Sequence, residues 1–306
     1  MQKKVIFIVG PTAVGKTEVA SFLSRKVKVE VISCDSMQVY KGMGLISAAP
    51  SKSVLKKLKH HLVGVLSPEK EYSVADFIIR AKKIIGSIHK KGKIPLIVGG
   101  SGLYMKALLD GIFEGPPANE KLRRYLYAQA KKYGSQYLHK KLERVDPQAA
   151  SRIHHSDTKR IIRALEVFKL TQEPISRLQK RSRGLLEDYD VRIFGLNLGR
   201  QKLYERIDSR VDEMFRRGLL KEVKSLLKKK LSKTAGKIIG ISEIKGYLDA
   251  RYALEEALRL VKRNTRHYAK RQLTWFRKDK RIKWIDVEDK SPGQIAHIIL
   301  NRLRKY

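Results

Sequence analysis

A run of five apolar residues, Val5 to Val9, passes directly into the segment Gly10-Pro-Thr-Ala-Val-Gly15-Lys16-Thr17. The run has the composition of a strand buried on both faces, and the apolar spacing of Glu18 to Lys26 is typical of a helix. Between a strand and a helix, the pattern G-x-x-x-x-G-K-[ST] predicts backbone N–H groups that converge on one anion. The alternative is a glycine-rich turn with an exposed lysine.

We therefore expect this segment, called the phosphate loop below, to bind a diphosphate or polyphosphate group. Lys16 would compensate its charge, and Thr17 would hold a Mg²⁺ ion. The loop does not specify which molecule carries the phosphates. Its residues are Gly10, Pro11, Thr12, Ala13, Val14, Gly15, Lys16 and Thr17.

The composition indicates a globular protein. The 306 residues are 42% hydrophobic, which is enough for one large core or two smaller ones. No stretch approaches about 18 uncharged apolar residues, and Met1-Gln-Lys-Lys leads directly into a strand, so we expect neither a membrane span nor a signal peptide. The single cysteine, Cys34, excludes an internal disulfide framework and a multi-cysteine metal site. These features predict a cytoplasmic protein.

The net charge indicates a polyanionic partner. Lys and Arg number 67 against 30 Asp and Glu, which gives a formal charge of +37. An excess of this size, spread along the chain, is typical of proteins that bind nucleic acid or an anionic membrane surface. A general basic bias of the source proteome is the alternative.

Two further strands are predicted to end near the phosphate loop. Val29–Ser33 leads to Asp35, and Ile94–Val98 leads to Gly99-Gly100-Ser101-Gly102. Ligands of open parallel sheets bind at the carboxyl ends of the strands, so Asp35 is placed to take part in chemistry at the phosphate site. An Asx turn or a helix cap is an equally good interpretation of Asp35. No Asp or Glu ends the Ile94–Val98 strand, where an ATPase places a carboxylate for Mg²⁺.

The fold class follows from the order of the elements. A helix from Ser73 to Lys90, capped by Ser73 with Asp76 at its third position, connects the predicted strands. Three basic helices without strands between them follow, and a strand pattern returns at Val191–Leu196. This order predicts an α/β protein with a P-loop NTPase-like parallel sheet, formed by residues 1–114 and 190–306, and a helical insertion domain at 115–189. The insertion helices are predicted at Asn119–Tyr133, Ser135–Arg144 and Asp157–Leu170.

The C-terminal part is predicted to carry one long helix, Asp249–Phe276. Its basic residues recur every three, four or seven residues and so lie along one face of the helix. Such a row could bind successive phosphates of a nucleic acid, although a solvated helix face is the default interpretation. Gln201–Lys229 is predicted as helical with an interruption near Gly218, Ile282–Ile285 as a strand, and Ser291–Arg304 as a closing helix. The basic row consists of Arg259, Arg263, Arg266, Lys270 and Arg277.

The histidine pairs His60-His61 and His154-His155 do not predict a metal site. Adjacent side chains point in different directions on a regular element, and no Cys or carboxylate stands at ligand spacing.

Nearly the whole chain resembles the tRNA dimethylallyltransferases, also called tRNA isopentenyltransferases. The resemblance rests on the combination and order of several motifs, of which none decides alone. They are GPTAVGKT from Gly10, S-x-DSMQVYKGM from Ser33, HHL from His60, YSVADF from Tyr72, PLIVGGSGLYMKALLDG from Pro95, VDP from Val145, RALEV from Arg163, ERIDSRVDEMFRRGLLKEV from Glu205 and AKRQLTWFR from Ala269.

The resemblance implies transfer of a dimethylallyl group from dimethylallyl diphosphate to N6 of adenosine 37 in tRNA, with release of diphosphate and with Mg²⁺ as cofactor. The partner would be the anticodon stem-loop of tRNA, without a membrane or an obligate protein partner, and the protein would be a monomer. The adenine would be splayed out of the loop into a pocket. A diphosphate leaving group would also explain why no carboxylate follows the Ile94–Val98 strand.

The chemistry and the family pattern together assign roles. A base must take the N6 proton, which we assign to Asp35, and Arg210 would join Lys16 in neutralising the leaving diphosphate. Ser101 stands where the family usually has Thr and would assist near Asp35. The residues that the resemblance places along the tRNA path are Asp35, Ser36, Met37, Gln38, Lys159, Arg160, Ile161, Ile162, Arg163, Arg266, Lys270, Arg271, Gln272, Thr274, Trp275 and Arg277.

The chain departs from the family pattern in three places. Gly44-Leu-Ile-Ser-Ala-Ala-Pro50 lacks a usual acid and a usual lysine, Gly64 replaces an Asp, and Gly240-Ile-Ser242 replaces Gly-Tyr-Lys/Arg. Two other functions therefore stay open: a small-molecule kinase with the same loop, and a non-catalytic RNA-binding protein with a relict loop.

Overall fold

The computed structural model describes residues 3–113 and 115–304. The chain forms two compact units, one made of Met1–Leu108 with Asp188–Tyr306 and the other of Leu109–Glu187. Glu114, at which the predicted domain boundary lies, is outside the described residues. The role of 115–189 as a domain that contacts tRNA stays a prediction.

The first unit contains a six-stranded sheet in the order β3-β2-β4-β1-β5-β6, in which every neighbouring pair is parallel. The predicted α/β class with a parallel sheet is confirmed. The short strand β3 was not predicted because two residues carry no periodicity. The strands are β1 Lys3–Val9, β2 Val29–Ser33, β3 His60–His61, β4 Ile94–Gly99, β5 Tyr189–Asn197 and β6 Lys283–Asp286.

Helices cover both the connections of the sheet and its C-terminal extension. The predicted capping box is present in α3, where Ser73 and Asp76 each accept a hydrogen bond from the other's backbone N–H. The helices of this unit are α1 Lys16–Leu23, α2 Lys52–Lys57, α3 Val74–Lys90, α4 Gly102–Asp110, which reaches the boundary of the unit, α10 Arg200–Arg216, α11 Leu219–Leu227, α12 Ile241–Leu248, α13 Leu254–Phe276 and α14 Pro292–Arg304.

The predicted start of the long C-terminal helix at Asp249 is wrong. Asp249 is the C-cap of α12, and Ala250 has a positive φ of 56°, so the backbone leaves the helix before α13 begins at Leu254. Sequence periodicity alone missed this break because the intervening residues include no Gly or Pro.

The core of the first unit lies around β1 and β5. Every residue from Val5 to Val9 is buried, as a strand covered on both faces requires. The helix α13 packs against α10 and α12, and α14 packs against α1, the helix that follows the phosphate loop.

The second unit is helical. Its core is formed by Leu126, Leu138, Leu142 and the inner face of α8. The three predicted insertion helices are confirmed, and each predicted end lies within about one residue of the observed end. The helices are α5 Glu120–Tyr133, α6 Ser135–Val145, α7 Pro147–Ala150, α8 Thr158–Thr171 and α9 Ile175–Lys180.

Among the described residues, none of the helices combines the length and the apolar content needed to cross a membrane.

Candidate active site

The phosphate loop turns from β1 into α1 with backbone conformations that favour glycine. Gly10 has φ 147°, and a Cβ there would lie 2.7 Å from the Leu196 carbonyl oxygen on β5. Gly15, with φ 96°, is the residue before the first turn of α1. The loop can therefore pass close to the sheet and still direct its N–H groups toward the cavity at the helix N-terminus.

Lys16 is folded back onto the loop. Its Nζ donates to the carbonyl oxygens of Gly10 at 3.0 Å and Pro11 at 2.6 Å. Burial lowers the pKa of Lys16 to about 8, against the opposing charge of Asp35 and together with the like charge of Arg210. The amine is thus held in an environment that favours a bound anion.

Asp35 forms an Asx turn and also lines the cavity beside the phosphate loop, while its part in the chemistry stays a prediction. Its Oδ1 accepts from the backbone N–H groups of Met37 at 2.9 Å and Gln38 at 3.4 Å. Burial raises the pKa of Asp35, although these hydrogen bonds and the charge of Lys16 oppose the rise. The turn fixes the carboxyl through one oxygen, and a raised pKa makes it a stronger base than an ordinary aspartate.

Ser101 lies between the Asp35 turn and α13. Its hydroxyl accepts from the Ser36 N–H at 3.2 Å, and it lies near Tyr268 of α13. The backbone at this point passes close to β2, since a Cβ on Gly99 would lie 2.1 Å from the Cys34 carbonyl oxygen. The predicted place of Ser101 near Asp35 is confirmed, while its role in catalysis stays a prediction.

Arg210, on α10, reaches the same region. Its Nη2 donates to the Ala48 carbonyl oxygen at 3.1 Å. Burial lowers the pKa of Arg210, and Glu18 and Asp35 oppose that shift through their charge. The guanidinium is therefore close enough to Asp35 and Lys16 to influence both electrostatically.

Gln272, assigned above to the tRNA path, holds two loops together. Its side chain is 5% exposed, accepts from the Thr12 N–H at 2.8 Å and donates to the Gly100 carbonyl oxygen at 3.0 Å. A Cβ on Gly100 would lie 2.1 Å from the Gln272 amide nitrogen. This bracing was not predictable from the sequence, because only the tertiary structure brings α13 to the phosphate loop.

Lys16, Asp35, Arg210 and Gln272 line one cavity of about 1090 Å³ within the first unit. A cavity of this size accommodates a diphosphate together with a further organic group. Among its lining residues are Thr12, Ala13, Gly15, Lys16, Thr17, Asp35, Ser36, Met37, Gln38, Arg210, Tyr268, Arg271 and Gln272.

The basic row on α13 divides into paired and exposed members. Arg266 binds both carboxylate oxygens of Asp208 at 2.6–2.7 Å, and Arg259 pairs with Glu256 at 2.6 Å. Lys270 and Arg277 are exposed. Lys270, Arg271, Thr274 and Trp275 line a second, shallower pocket of about 530 Å³ together with His267 and Lys278.

In the second unit, the predicted tRNA-path residues differ in accessibility. Lys159 and Arg160 are exposed, whereas Ile161 and Ile162 are 0% and 2% exposed in the core of the unit. The prediction that Ile161 and Ile162 line the tRNA path is therefore corrected, because side chains buried in the unit's own core support the helix. Arg163 Nη1 donates to the buried Glu166 at 2.6 Å, and the Arg163 Nη2 donates to the Pro116 carbonyl oxygen.

Two of the family motifs have structural roles. In VDP, the Asp146 carboxylate accepts from the N–H groups of Ala149 and Ser176, each at 2.9 Å, and so ties α7 to α9. In HHL, His61 Nε2 lies 2.8 Å from the buried Glu30 carboxylate, which also accepts from Lys93. Their side chains anchor the two units internally.

Thr17 is an oxygen donor at the end of the phosphate loop. The described residues include no cluster of three or more His, Cys, Asp or Glu side chains that could hold a metal. Mg²⁺ keeps several waters and binds through one or two protein oxygens plus substrate phosphates. Thr17, which lines the cavity at the start of α1, can supply such an oxygen.

Comparisons with known proteins agree on one family. The IPP transferase family model matches residues 38–279. The tRNA dimethylallyltransferases of Natranaerobius thermophilus and Carboxydothermus hydrogenoformans are each 44% identical to this chain, over 99% and 98% of it and 92% and 97% of their own lengths.

Solved structures with the same fold have related functions. The tRNA isopentenylpyrophosphate transferase of Bacillus halodurans is 40% identical, with a TM-score of 0.72 over 100% of this chain and 98% of that one. A eukaryotic dimethylallyltransferase captured acting on tRNA is 27% identical, with a TM-score of 0.83 over 99% of this chain and 80% of its own. The motifs, the parallel sheet and these similarities together establish that the chain belongs to the IPP transferase family.

Proposed function

We propose that this protein transfers a dimethylallyl group from dimethylallyl diphosphate to N6 of adenosine 37 in tRNA. The observation that carries the proposal is the single cavity shared by the phosphate loop, Asp35 and Arg210. An anion site, a base and a second cation around one space are what alkyl transfer from a diphosphate to a weakly basic amine requires.

The residues divide the reaction into two roles around the cavity. Lys16, Arg210 and the loop N–H groups bind the diphosphate and stabilise the negative charge that grows as its C–O bond breaks. Asp35 accepts the N6 proton while the nitrogen lone pair forms the new C–N bond. The products are the N6-alkylated adenosine, diphosphate and a proton held first on Asp35.

We assign Mg²⁺ to this site with Thr17 as its protein ligand. When bound, the ion would neutralise part of the diphosphate charge. The proposal also places Lys159, Arg160, Lys270, Arg271, Trp275 and Arg277 among the residues that contact tRNA, which the net charge of +37 supports. We further propose that the protein acts as a cytoplasmic monomer.

The deciding experiment uses the full chain with anticodon stem-loop RNA, dimethylallyl diphosphate and Mg²⁺. Mass spectrometry should find one added C5H8 unit per RNA, and an otherwise identical RNA with guanosine at position 37 should stay unmodified. RNA-stimulated hydrolysis of ATP without any RNA alkylation would instead support the kinase-like alternative. Tight RNA binding without alkylation at any donor concentration would identify a non-catalytic RNA-binding protein.

A further inference from the structure

The segment 43–49, which overlaps one of the departures from the family pattern, forms a compact turn. The N–H groups of Ser47, Ala48 and Ala49 donate to the carbonyl oxygens of Met43, Leu45 and Gly44 at 3.1, 2.9 and 2.9 Å. We call residues 43–49 the support turn. These bonds leave the N–H groups of Leu45 and Ile46, at the start of the turn, without a partner inside it.

Glu222, on α11, supplies the missing acceptors. Its Oε2 accepts from the Leu45 N–H at 3.0 Å, and its Oε1 accepts from the Ile46 N–H at 2.8 Å. Both oxygens of one carboxylate are thus used on consecutive amides, and hydrogen bonds to an ionised acceptor are stronger than neutral ones. Glu222 fixes the beginning of the support turn from a position 176 to 177 residues later in the chain.

The other end of the turn faces the active site. The Ala48 carbonyl oxygen accepts from Arg210 Nη2 at 3.1 Å and from Gln38 Nε2 at 3.3 Å. Ala48 has a positive φ of 50°, which an alanine adopts only where its surroundings hold it. The direction of this carbonyl therefore depends on the turn that Glu222 clamps.

We infer that Glu222 is a positioning residue for the transfer reaction, which acts through the support turn on the guanidinium of Arg210. The inference rests on the function proposed above. Glu222 is not among the residues that line the cavity, so we place it outside the donor site. Without its carboxylate, two amides lose charged acceptors and the Ala48 carbonyl is no longer held toward Arg210.

The test compares Glu222→Gln with wild type under single-turnover conditions with saturating RNA. Gln has the same size but presents an N–H₂ group to one of the two amides, so one hydrogen bond is lost and a donor faces a donor. We expect the rate of transfer to fall by about 10- to 100-fold, as the loss of a charge-assisted bond predicts. RNA affinity should stay within about 2-fold. Glu213→Gln is the matched control, because Glu213 is a half-exposed acid on α10 that pairs with Arg216 and does not line the cavity.

A double-mutant cycle separates positioning of Arg210 from a general loss of structure. Arg210→Lys keeps the charge and loses the planar donor fork that reaches Ala48. If Glu222 acts through Arg210, adding Glu222→Gln to Arg210→Lys should cost less than about 3-fold. The inference would be overturned if the two substitutions reduced the rate multiplicatively in the double variant, or if Glu222→Gln left the rate unchanged. A wild-type protein that alkylates no RNA would overturn the proposed function instead.

Discussion

Gln272 and Thr12 are 260 residues apart, and the Gln272 side-chain oxygen accepts the Thr12 backbone N–H at 2.8 Å. The amide nitrogen of Gln272 donates to the Gly100 carbonyl oxygen. One buried side chain on α13 therefore sets the distance between the phosphate loop and the glycine-rich turn after β4. The helix with the basic row is in this way part of the active-site wall.

Gln272→Ala should loosen the phosphate loop. The change leaves the part-buried Thr12 N–H and the buried Gly100 carbonyl without their side-chain partner, so we expect a fall of about 1–3 kcal/mol in the free energy of unfolding. Pyrophosphate binding, measured by calorimetry, should weaken as well. Gln201→Ala, at an exposed position of α10, should change neither quantity. Unchanged pyrophosphate affinity in Gln272→Ala would show that the loop holds its shape alone.

Lys16 should make anion binding depend on pH. Its pKa is lowered to about 8, so the amine is cationic below that pH and loses its charge as the pH rises through it. Pyrophosphate affinity of the wild type should fall between pH 7 and pH 9 relative to that of Lys16→Arg, which stays charged throughout. A constant ratio of the two affinities over this range would contradict the role of Lys16.

Asp35→Asn should separate the base from the turn. Asn can still accept from the Met37 N–H through its oxygen, so the Asx turn is kept while the basicity is lost. We expect the single-turnover rate to fall by about 10² to 10⁴ with RNA binding retained. Because the pKa of Asp35 is raised, the wild-type rate should begin to fall on acidification at a higher pH than an ordinary aspartate would give.

Histidine variants control for this assignment. His61 lies against Glu30, and we expect a loss of stability but not of chemistry in His61→Gln. Near-full activity of Asp35→Asn, combined with an inactive His60 or His61 variant, would leave Asp35 only its role in the turn.

Glu166→Gln should destabilise the second unit. Burial alone would raise the pKa of Glu166, but hydrogen bonds from Arg123 and Arg163 outweigh it and lower the pKa. Because this pKa is depressed on folding, the stabilisation is present above the ordinary carboxyl pKa and is lost as pH falls through the folded value. Glu166→Gln should lower the free energy of unfolding by up to about 3 kcal/mol. This is the lower end of the range for broken buried ion pairs, because both arginines that bind Glu166 are about one-third exposed.

Hydrogen exchange of the α8 amides in the full chain measures this effect at neutral pH. Glu173→Gln is the matched control, because Glu173 pairs with the exposed Arg181 at 3.2 Å and a surface pair contributes little. Equal exchange rates in the two variants would mean that the Glu166 cluster does not stabilise the unit.

Salt dependence of RNA binding should distinguish the paired from the exposed basic residues of α13. If roughly six to ten phosphates are neutralised, affinity should fall by about 10³ to 10⁵ between 50 and 200 mM salt. Lys270→Ala and Arg277→Ala should each reduce the slope by about one counterion, whereas Arg266→Ala should reduce it less because Asp208 already holds Arg266. A flat salt response would rule out phosphate contact as the main source of affinity.

Regular elements with strong local patterns were predictable from the sequence. The apolar run before Gly10, the capping box at Ser73 and the alternation of strands with helices fixed the α/β class, because burial and capping depend on residues close together in the chain. Two features were not predicted from the sequence. The helix break at Ala250 is not marked by Gly or Pro, and the strand β3 has only two residues and therefore no periodicity.

The sequence by itself determined which groups the site contains: a phosphate loop, an acid after β2, an arginine on α10 and an excess of positive charge. Only the tertiary structure decided how they are held. Gln272 braces the phosphate loop, Glu222 clamps the turn that meets Arg210, and Ile161 and Ile162 point into a core instead of toward a ligand. These arrangements join residues more than a hundred positions apart or depend on which helix face is covered, and both are consequences of packing that no local pattern encodes.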